Sequence, residues 1–238
     1  MNLPVEWANR VIQRSEECRP TLPRPPATSD KLAVIVEFRN DIFLRHVIQV
    51  AIHHLAPKGF AFVLVHGTEN ALLAKTFIEP LGVRLRQLPR TNVDASEYSG
   101  LLLSRWFWEQ LPAEHILLYQ IDTYIRHGNI EPFLQYDYVG APWNPERCPW
   151  CQSKSRVGNG GLSLRRRSAM LRCLDARSSV CNWTEDMFYC VACEDLLYLP
   201  SSEIARSFAV ETWEHPDPLG FHKPWLYLPP EQFYPLLT

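Results

Sequence analysis

Apolar and polar positions follow two alternating rhythms along the first half of the chain. Residues 32–38 (LAVIVEF) form a short apolar run rich in β-branched side chains, the pattern of a strand buried on both faces. Residues 42–55 are amphipathic with helical spacing, and Asp41 stands where an N-cap is needed. The alternation continues with a strand over 60–65, a helix over 70–77, a strand over 83–88, a helix over 96–111 and a strand over 115–120. Strands and helices taken in turn predict a parallel α/β sheet. After Asp122 the rhythm breaks. Short strands are predicted over 136–139 and 161–164, helices over 185–197 and 201–206, and a last strand over 208–211. From His215 onward the chain is a proline-rich loop and tail. Residues 1–31 are expected to be an arm, with a short helix over 5–14 and an extended proline-rich linker over 19–26. The folded unit is then a single domain over residues 32–238.

Composition narrows the function classes. The chain has 238 residues, 46% of them hydrophobic, which is enough for one sizeable core. Its 24 Lys+Arg against 26 Asp+Glu argue against a nucleic-acid partner, whose phosphates select a basic excess. No apolar run approaches the roughly 20 residues of a membrane span. The first 30 residues are charged and proline-rich, without the apolar stretch of a secretory signal, so a cytoplasmic location is expected. In that setting the seven cysteines are not read as a disulfide framework. Two C-x-x-C pairs, Cys148/Cys151 and Cys190/Cys193, allow a zinc-stabilised interaction domain as an alternative.

Ligands of open parallel sheets bind beyond the carboxyl ends of the strands. That rule nominates Glu37 and Arg39 after the first strand, and Gln120 and Asp122 after the fourth. Prolines outnumber glycines 20 to 10, the reverse of ordinary usage, yet Gly158, Gly160 and Gly161 cluster within four residues. Glycine permits close approach of a ligand or another backbone, although a tight hairpin turn explains the cluster equally well. Asn182 to Glu185 fits a capping box, and Asp186 in the same first turn could act as a base aimed into a cleft. Asn182-Trp-Thr184 also spells a glycosylation sequon, read as accidental. His222 beside Lys223 pairs a metal-ligating imidazole with a phosphate-neutralising ammonium. Arg165 to Arg167 is expected to be a solvated basic face.

Taken in order, the segments VIVEFR (34–39), YS (98–99), FW (107–108), ILLYQID (116–122), DYVGAPW (137–143), GNGGLSLR (158–165), ED (185–186) and FHKPW (221–225) resemble the DUF5672 family. The resemblance implies a GT-A-like (Rossmann-like) fold: a mostly parallel central sheet flanked by helices, with an irregular acceptor-side region toward the C-terminus. It also implies transfer of a sugar from a nucleotide-diphosphate-sugar donor to a hydroxyl acceptor, by an inverting route with Asp186, beside Glu185, as base. Gln120-Ile-Asp122 resembles the Asp-x-Asp motif that holds Mn²⁺ or Mg²⁺ in such enzymes, with one carboxylate missing. By the same resemblance Asp122 and His222 hold the metal and Lys223 the diphosphate. Trp143, Asn159, Gly160, Gly161 and Trp225 are then expected to line the sugar or acceptor cleft, and Gly160→Val to damage function more than stability. A non-catalytic nucleotide-sugar or glycan-binding module on the same fold is the alternative.

Overall fold

The computed structural model describes residues 3–149, 154–177 and 183–237. Its main sheet has six strands in the order β3-β2-β1-β4-β7-β6. Strands β1 (Lys31–Val36), β2 (Ala61–His66), β3 (Arg84–Gln87) and β4 (His115–Tyr119) run parallel. β7 (Leu162–Arg166) is antiparallel to β4, and β6 (Tyr138–Gly140) is antiparallel to β7.

The central strands look uniformly apolar because each serves two cores. With a side-chain period of two, alternate residues face opposite sides of the sheet. Ala33, Ile35, Phe62, Leu64, Leu117 and Tyr119 enter one core. Leu32, Val34, Val63, Val65, Ile116 and Leu118 enter the other. The first core is covered by α1 (Val5–Cys18) and α2 (Phe43–Leu55). The second is covered by α4 (Ala95–Leu102), α5 (Arg105–Glu109) and α6 (Arg167–Ala176). The short α3 (Ala71–Leu73), a π turn Ala74–Ile78 and a 3₁₀ turn Glu79–Leu81 lead into edge strand β3. β3 carries Arg84, Arg86 and Gln87, polar side chains that blunt an edge.

The N-terminal segment expected to be an arm forms a longer helix packed on the body. Trp7 is fully buried, with its ring centroid 4.7 Å from Trp225 and 6.2 Å from Tyr124. One expected helix breaks in two: Asp94 and Glu97 form a capping box at α4, and Ser104 caps α5 by accepting from Phe107 N. The helix expected over 185–197 is three short turns: α7 (Glu185–Met187), a π turn Phe188–Ala192 and a 3₁₀ turn Glu194–Leu196. Asp41 stands one residue before the N-cap position, Ile42, and its Oδ1 accepts from Phe43 N at 2.9 Å.

The tail expected to be loop contributes a strand. β9 (Gly220–His222) pairs antiparallel with β5 (Thr123–Ile125) and parallel with β8 (Ala209–Val210), which follows α8 (Ser202–Phe208). Among the described residues no helix is long and apolar enough to cross a membrane. Cys148, Cys190 and Cys193 are all buried, and Cys193 hydrogen-bonds Cys173. Cys151 of the first C-x-x-C pair and Asn182 of the expected capping box lie outside the described residues.

Candidate functional site

The cavity sits at the carboxyl ends of β1 and β4, where the parallel-sheet rule places ligands, and has a volume of about 460 Å³. Its wall includes Glu37, Arg39, Tyr98, Gln120, Asn159 to Gly161, Glu185, Asp186, Glu211, His222 and Lys223. Two strand pairings bring these distant segments together. β7 beside β4 sets residues 159–161 next to Gln120, whose N–H donates to Gly161 O at 3.0 Å. β9 beside β5 places His222 opposite Thr123, so Asp122 and Lys223 meet at the end of the pair.

Gly160 and Gly161 have a specific role in this geometry. A Cβ on Gly161 would stand 2.1 Å from the His222 ring, and one on Gly160 would stand 2.3 Å from Glu185 Oε1. The glycines therefore admit two side chains of the site itself, one on each flank. Asn159 holds a third: its Nδ2 donates to Glu211, while its Oδ1 accepts from Gly161 N at 2.9 Å. Gly161→Ala is expected to lower stability by about 1–3 kcal/mol, because His222 is wedged between two carboxylates and cannot retreat. Gly100→Ala is the control: its Cβ meets nothing within 4 Å, so the helix should gain about 0.5–1 kcal/mol. Urea denaturation midpoints of the two variants check this pair. The same contact means that Gly160→Val strikes the buried Glu185 pair as well as the cavity, so stability and function would fall together.

On the first flank, Asp122 is fully buried, with Oδ1 3.4 Å from His222 Nε2 and Oδ2 3.1 Å from Lys223 Nζ. These are ion-pair contacts; neither Asp122 oxygen accepts a well-aligned hydrogen bond. Burial alone would raise its pKa, but the His222 and Lys223 charges lower it to about 2. His222 Nδ1 lies 3.3 Å from Glu211 Oε1, and Gln120 Oε1 lies 3.2 Å from Nε2. Burial disfavours a charged imidazole, yet Glu211 and Asp122 overcome it and raise the His222 pKa to about 9. Lys223 holds a left-handed backbone (φ 44°), a strained conformation for a side-chain-bearing residue, just before Pro224.

On the second flank, Asp186 Oδ1 accepts from Thr184 Oγ1 at 2.5 Å and from Met187 N at 2.8 Å, and Oδ2 accepts from Gly160 N at 3.2 Å. Burial and the adjacent Glu185 charge raise its pKa to about 6. Glu185 has both oxygens engaged: Oε1 with Arg165 at 2.7 Å and Oε2 with the Asp186 N–H at 2.7 Å. On the β1 side, Glu37 takes both arms of the Arg39 fork, and Asn70 Nδ2 donates to Glu37 O at 2.8 Å.

The structure thus brings together Glu37, Arg39, Gln120, Asp122, Asn159, Gly160, Gly161, Glu185, Asp186, His222 and Lys223. It does not bring in the two tryptophans. Trp143 is buried in the second core, and the partly buried Trp225 packs on Trp7; neither lines the cavity. Arg165, expected on a solvated face, is fully buried, because strand alternation turns it inward while Arg166 reaches the Asp137 carboxylate. Two wall residues carry no site role expected from sequence, Tyr98 standing there only as part of a family segment. Tyr98 hydrogen-bonds Gln120, and burial together with Glu185 raises its phenol pKa well above normal. Glu211, like Asp122, is an acid just beyond the carboxyl end of a strand, but its strand has only two residues.

The open sheet with its parallel β3-β2-β1-β4 half, reversed β7 and cavity at the β1/β4 ends is the fold of GT-A glycosyltransferases. The chain belongs to the family described as "Protein of unknown function (DUF5672)", which it matches over residues 82–222, more than half its length. No curated protein matches it in sequence. Among solved structures it is similar to the galactosyltransferase LgtC in complex with donor and acceptor sugar analogues, at 13% identity and TM-score 0.52, covering 84% of this chain and 88% of that one. It is also similar to the mannosyltransferase PcManGT of Pyrobaculum calidifontis in complex with GDP-Man and Mn²⁺, at 12% identity and TM-score 0.51, covering 82% of this chain and 63% of that one. The apo glycosyltransferase GlyE of Streptococcus pneumoniae TIGR4 matches at 10% identity and TM-score 0.50, with 87% of this chain spanning 56% of GlyE.

Proposed function

We propose that the chain transfers a sugar from a nucleotide-diphosphate-sugar donor to a hydroxyl acceptor with inversion. The observation that carries this reading is the two-flank arrangement around Asn159–Gly161. A carboxylate with a raised pKa faces the cavity from one side, and a His-Lys-Asp-Gln cluster faces it from the other.

Asp186 would accept the acceptor hydroxyl's proton as that oxygen attacks the anomeric carbon. Its pKa of about 6 leaves it deprotonated at neutral pH yet basic enough to assist. A single displacement from the side opposite the leaving diphosphate gives inversion. Thr184 and the Gly160 N–H hold the carboxylate in place, which lowers the cost of reaching the reactive geometry. Lys223 and Arg39 face the cavity as fixed cations that can neutralise the diphosphate.

The donor set also suits a hard divalent ion. Gln120 Oε1 and Asp122 Oδ1 lie within 3.4 Å of His222 Nε2, and the buried Asp122 oxygens lack aligned hydrogen bonds. Glu211 on the other ring nitrogen supplies the outer carboxylate that orients a metal-ligating histidine. Among the described residues no group of three His, Cys, Asp or Glu side chains is arranged to hold a metal; in this reading the neutral amide of Gln120 would supplement the two ligands. Asp122 and His222, assisted by Gln120, would hold Mn²⁺ or Mg²⁺, with His222 Nε2 giving up to solvent the proton that its raised pKa keeps there; when bound the ion would supply charge neutralisation of the leaving diphosphate.

A thermal-shift panel of nucleoside diphosphates and nucleotide sugars, with and without Mn²⁺, tests the donor class. A rise of several degrees for at least one nucleotide is expected, larger with the ion. No shift across the panel would contradict the reading.

A further inference from the structure

We propose that Arg165 is a positioning residue that keeps Asp186 aimed into the cavity by clamping Glu185 and the Gly160 shoulder behind it. The inference rests on the reading of Asp186 as the base. Arg165 has no exposed surface. Its Nη2 donates to Glu185 Oε1 at 2.7 Å, and its Nε donates to Ser163 Oγ at 2.9 Å. Ser163 Oγ in turn donates to Gly160 O at 3.3 Å. The guanidinium carbon lies 4.6 Å from the Tyr138 ring centroid and 5.7 Å from that of Tyr189, so the cation rests against two aromatic rings.

Both ends of the clamp terminate at Asp186. Glu185 Oε2 accepts the Asp186 backbone N–H, fixing the first turn of α7. Gly160, tethered through Ser163, donates its own N–H to Asp186 Oδ2. A carboxylate on a three-residue helical turn has little intrinsic rigidity. The buried arginine supplies it, through one contact to the α7 side and one to the β7 side. Lysine cannot substitute, because it lacks the fork that reaches both partners.

The clamp also sets the electrostatics at Asp186. Glu185 stands directly beside it, and Arg165 compensates that charge from behind. Tyr138 lies behind Arg165. The other charged and titratable groups of the cavity wall are Glu37, Arg39, Asp94, Tyr98, Glu211, His222 and Lys223. They are common to every variant below.

The test uses the full chain with Glu185→Gln, Arg165→Lys and the double variant Arg165→Met/Glu185→Gln, which removes both buried charges and leaves neither unpaired. Asp186 titration is followed by carboxylate carbon NMR, assigned with Asp186→Asn, alongside the pH dependence of turnover. In Glu185→Gln the midpoint should fall by about one pH unit or more, because repulsion is lost and the arginine charge is left uncompensated. In the double variant it should return to within about half a unit of the wild type. Arg165→Lys and the double variant should each lower kcat by about tenfold or more above the acid limb with donor KM unchanged. Identical midpoints in Glu185→Gln and the double variant, or wild-type kcat in Arg165→Lys, would overturn the proposal. The NMR midpoint reads Asp186 whether or not the enzyme turns over. If the midpoints move as stated while Asp186→Asn keeps full turnover, the base assignment fails and the electrostatic clamp stands.

Discussion

Asp186→Asn should lower turnover by about 10²–10⁴-fold while leaving nucleotide binding unchanged, the range attributable to one positioned general base. Asparagine keeps the size of the side chain, its Oδ1 can still accept from Thr184 and Met187, and the Arg165–Glu185 pair behind it is untouched. What disappears is the proton acceptor, together with the Gly160 N–H bond to Oδ2, which an amide NH2 cannot accept. The pH dependence follows from the same group. Burial and Glu185 raise the Asp186 pKa to about 6, and the base works only when deprotonated. Turnover should therefore be level above pH 7 and fall about tenfold per unit below about pH 6. An acid limb near the ordinary carboxylate value of about 4 would mean that another group sets it. Initial rates of wild type and variant across pH 5–8, with a nucleotide sugar that gave a thermal shift, check both statements.

Asp122→Ala should have the largest effect on the folded protein. Asp122 has no exposed surface and is the shared partner of His222 and Lys223. Its removal leaves the imidazole with Glu211 as its one carboxylate and Gln120 on the other nitrogen, and takes away the anion paired with Lys223. Breaking a buried pair by deleting one member costs about 3–5 kcal/mol. The expected value here lies toward the lower end, since the Lys223 side chain is 26% exposed and can turn to water. The cation-dependent part of the thermal shift should vanish altogether. Asp122→Asn separates the two effects: it retains the volume and an oxygen, so stability should recover in part while the cation response stays lost. Denaturant midpoints and thermal shifts with Mn²⁺ on both variants provide the readout.

The parallel half of the sheet was legible because its signals are local. An apolar run such as LAVIVEF, or an amphipathic helix with Asp41 before it, is written within a single window of sequence. The same holds for the rim positions Glu37, Gln120 and Asp122, which follow from knowing where strands end. The second half was harder because its elements are stabilised by tertiary contacts. β9 is three residues long, sits among prolines and exists through its pairing with β5 and β8. The helix expected over 185–197 loses its regularity where Phe188, Tyr189 and Cys190 are drawn into the second core. Arg165 illustrates the same limit. Three consecutive arginines look alike in sequence, yet the pleat sends the first one into the interior to meet Glu185. The glycine cluster was visible from composition, but the partners that require it, Glu185 and His222, are contributed by segments far along the chain. Trp143 and Trp225 pack against the two cores, and an aromatic beside a motif is as readily a packing residue as a sugar platform.

The most direct test is a crystal structure of the chain with a nucleoside diphosphate and Mn²⁺. The expected result is the diphosphate in the cavity at the ends of β1 and β4, with Lys223 on its oxygens, the ion on Asp122 and His222, and Asp186 facing the open side where an acceptor would enter. A nucleotide bound elsewhere, such as in the groove beside Leu88 and Trp106, with Asp122 still paired to His222 and Lys223, would contradict the assignment of this site.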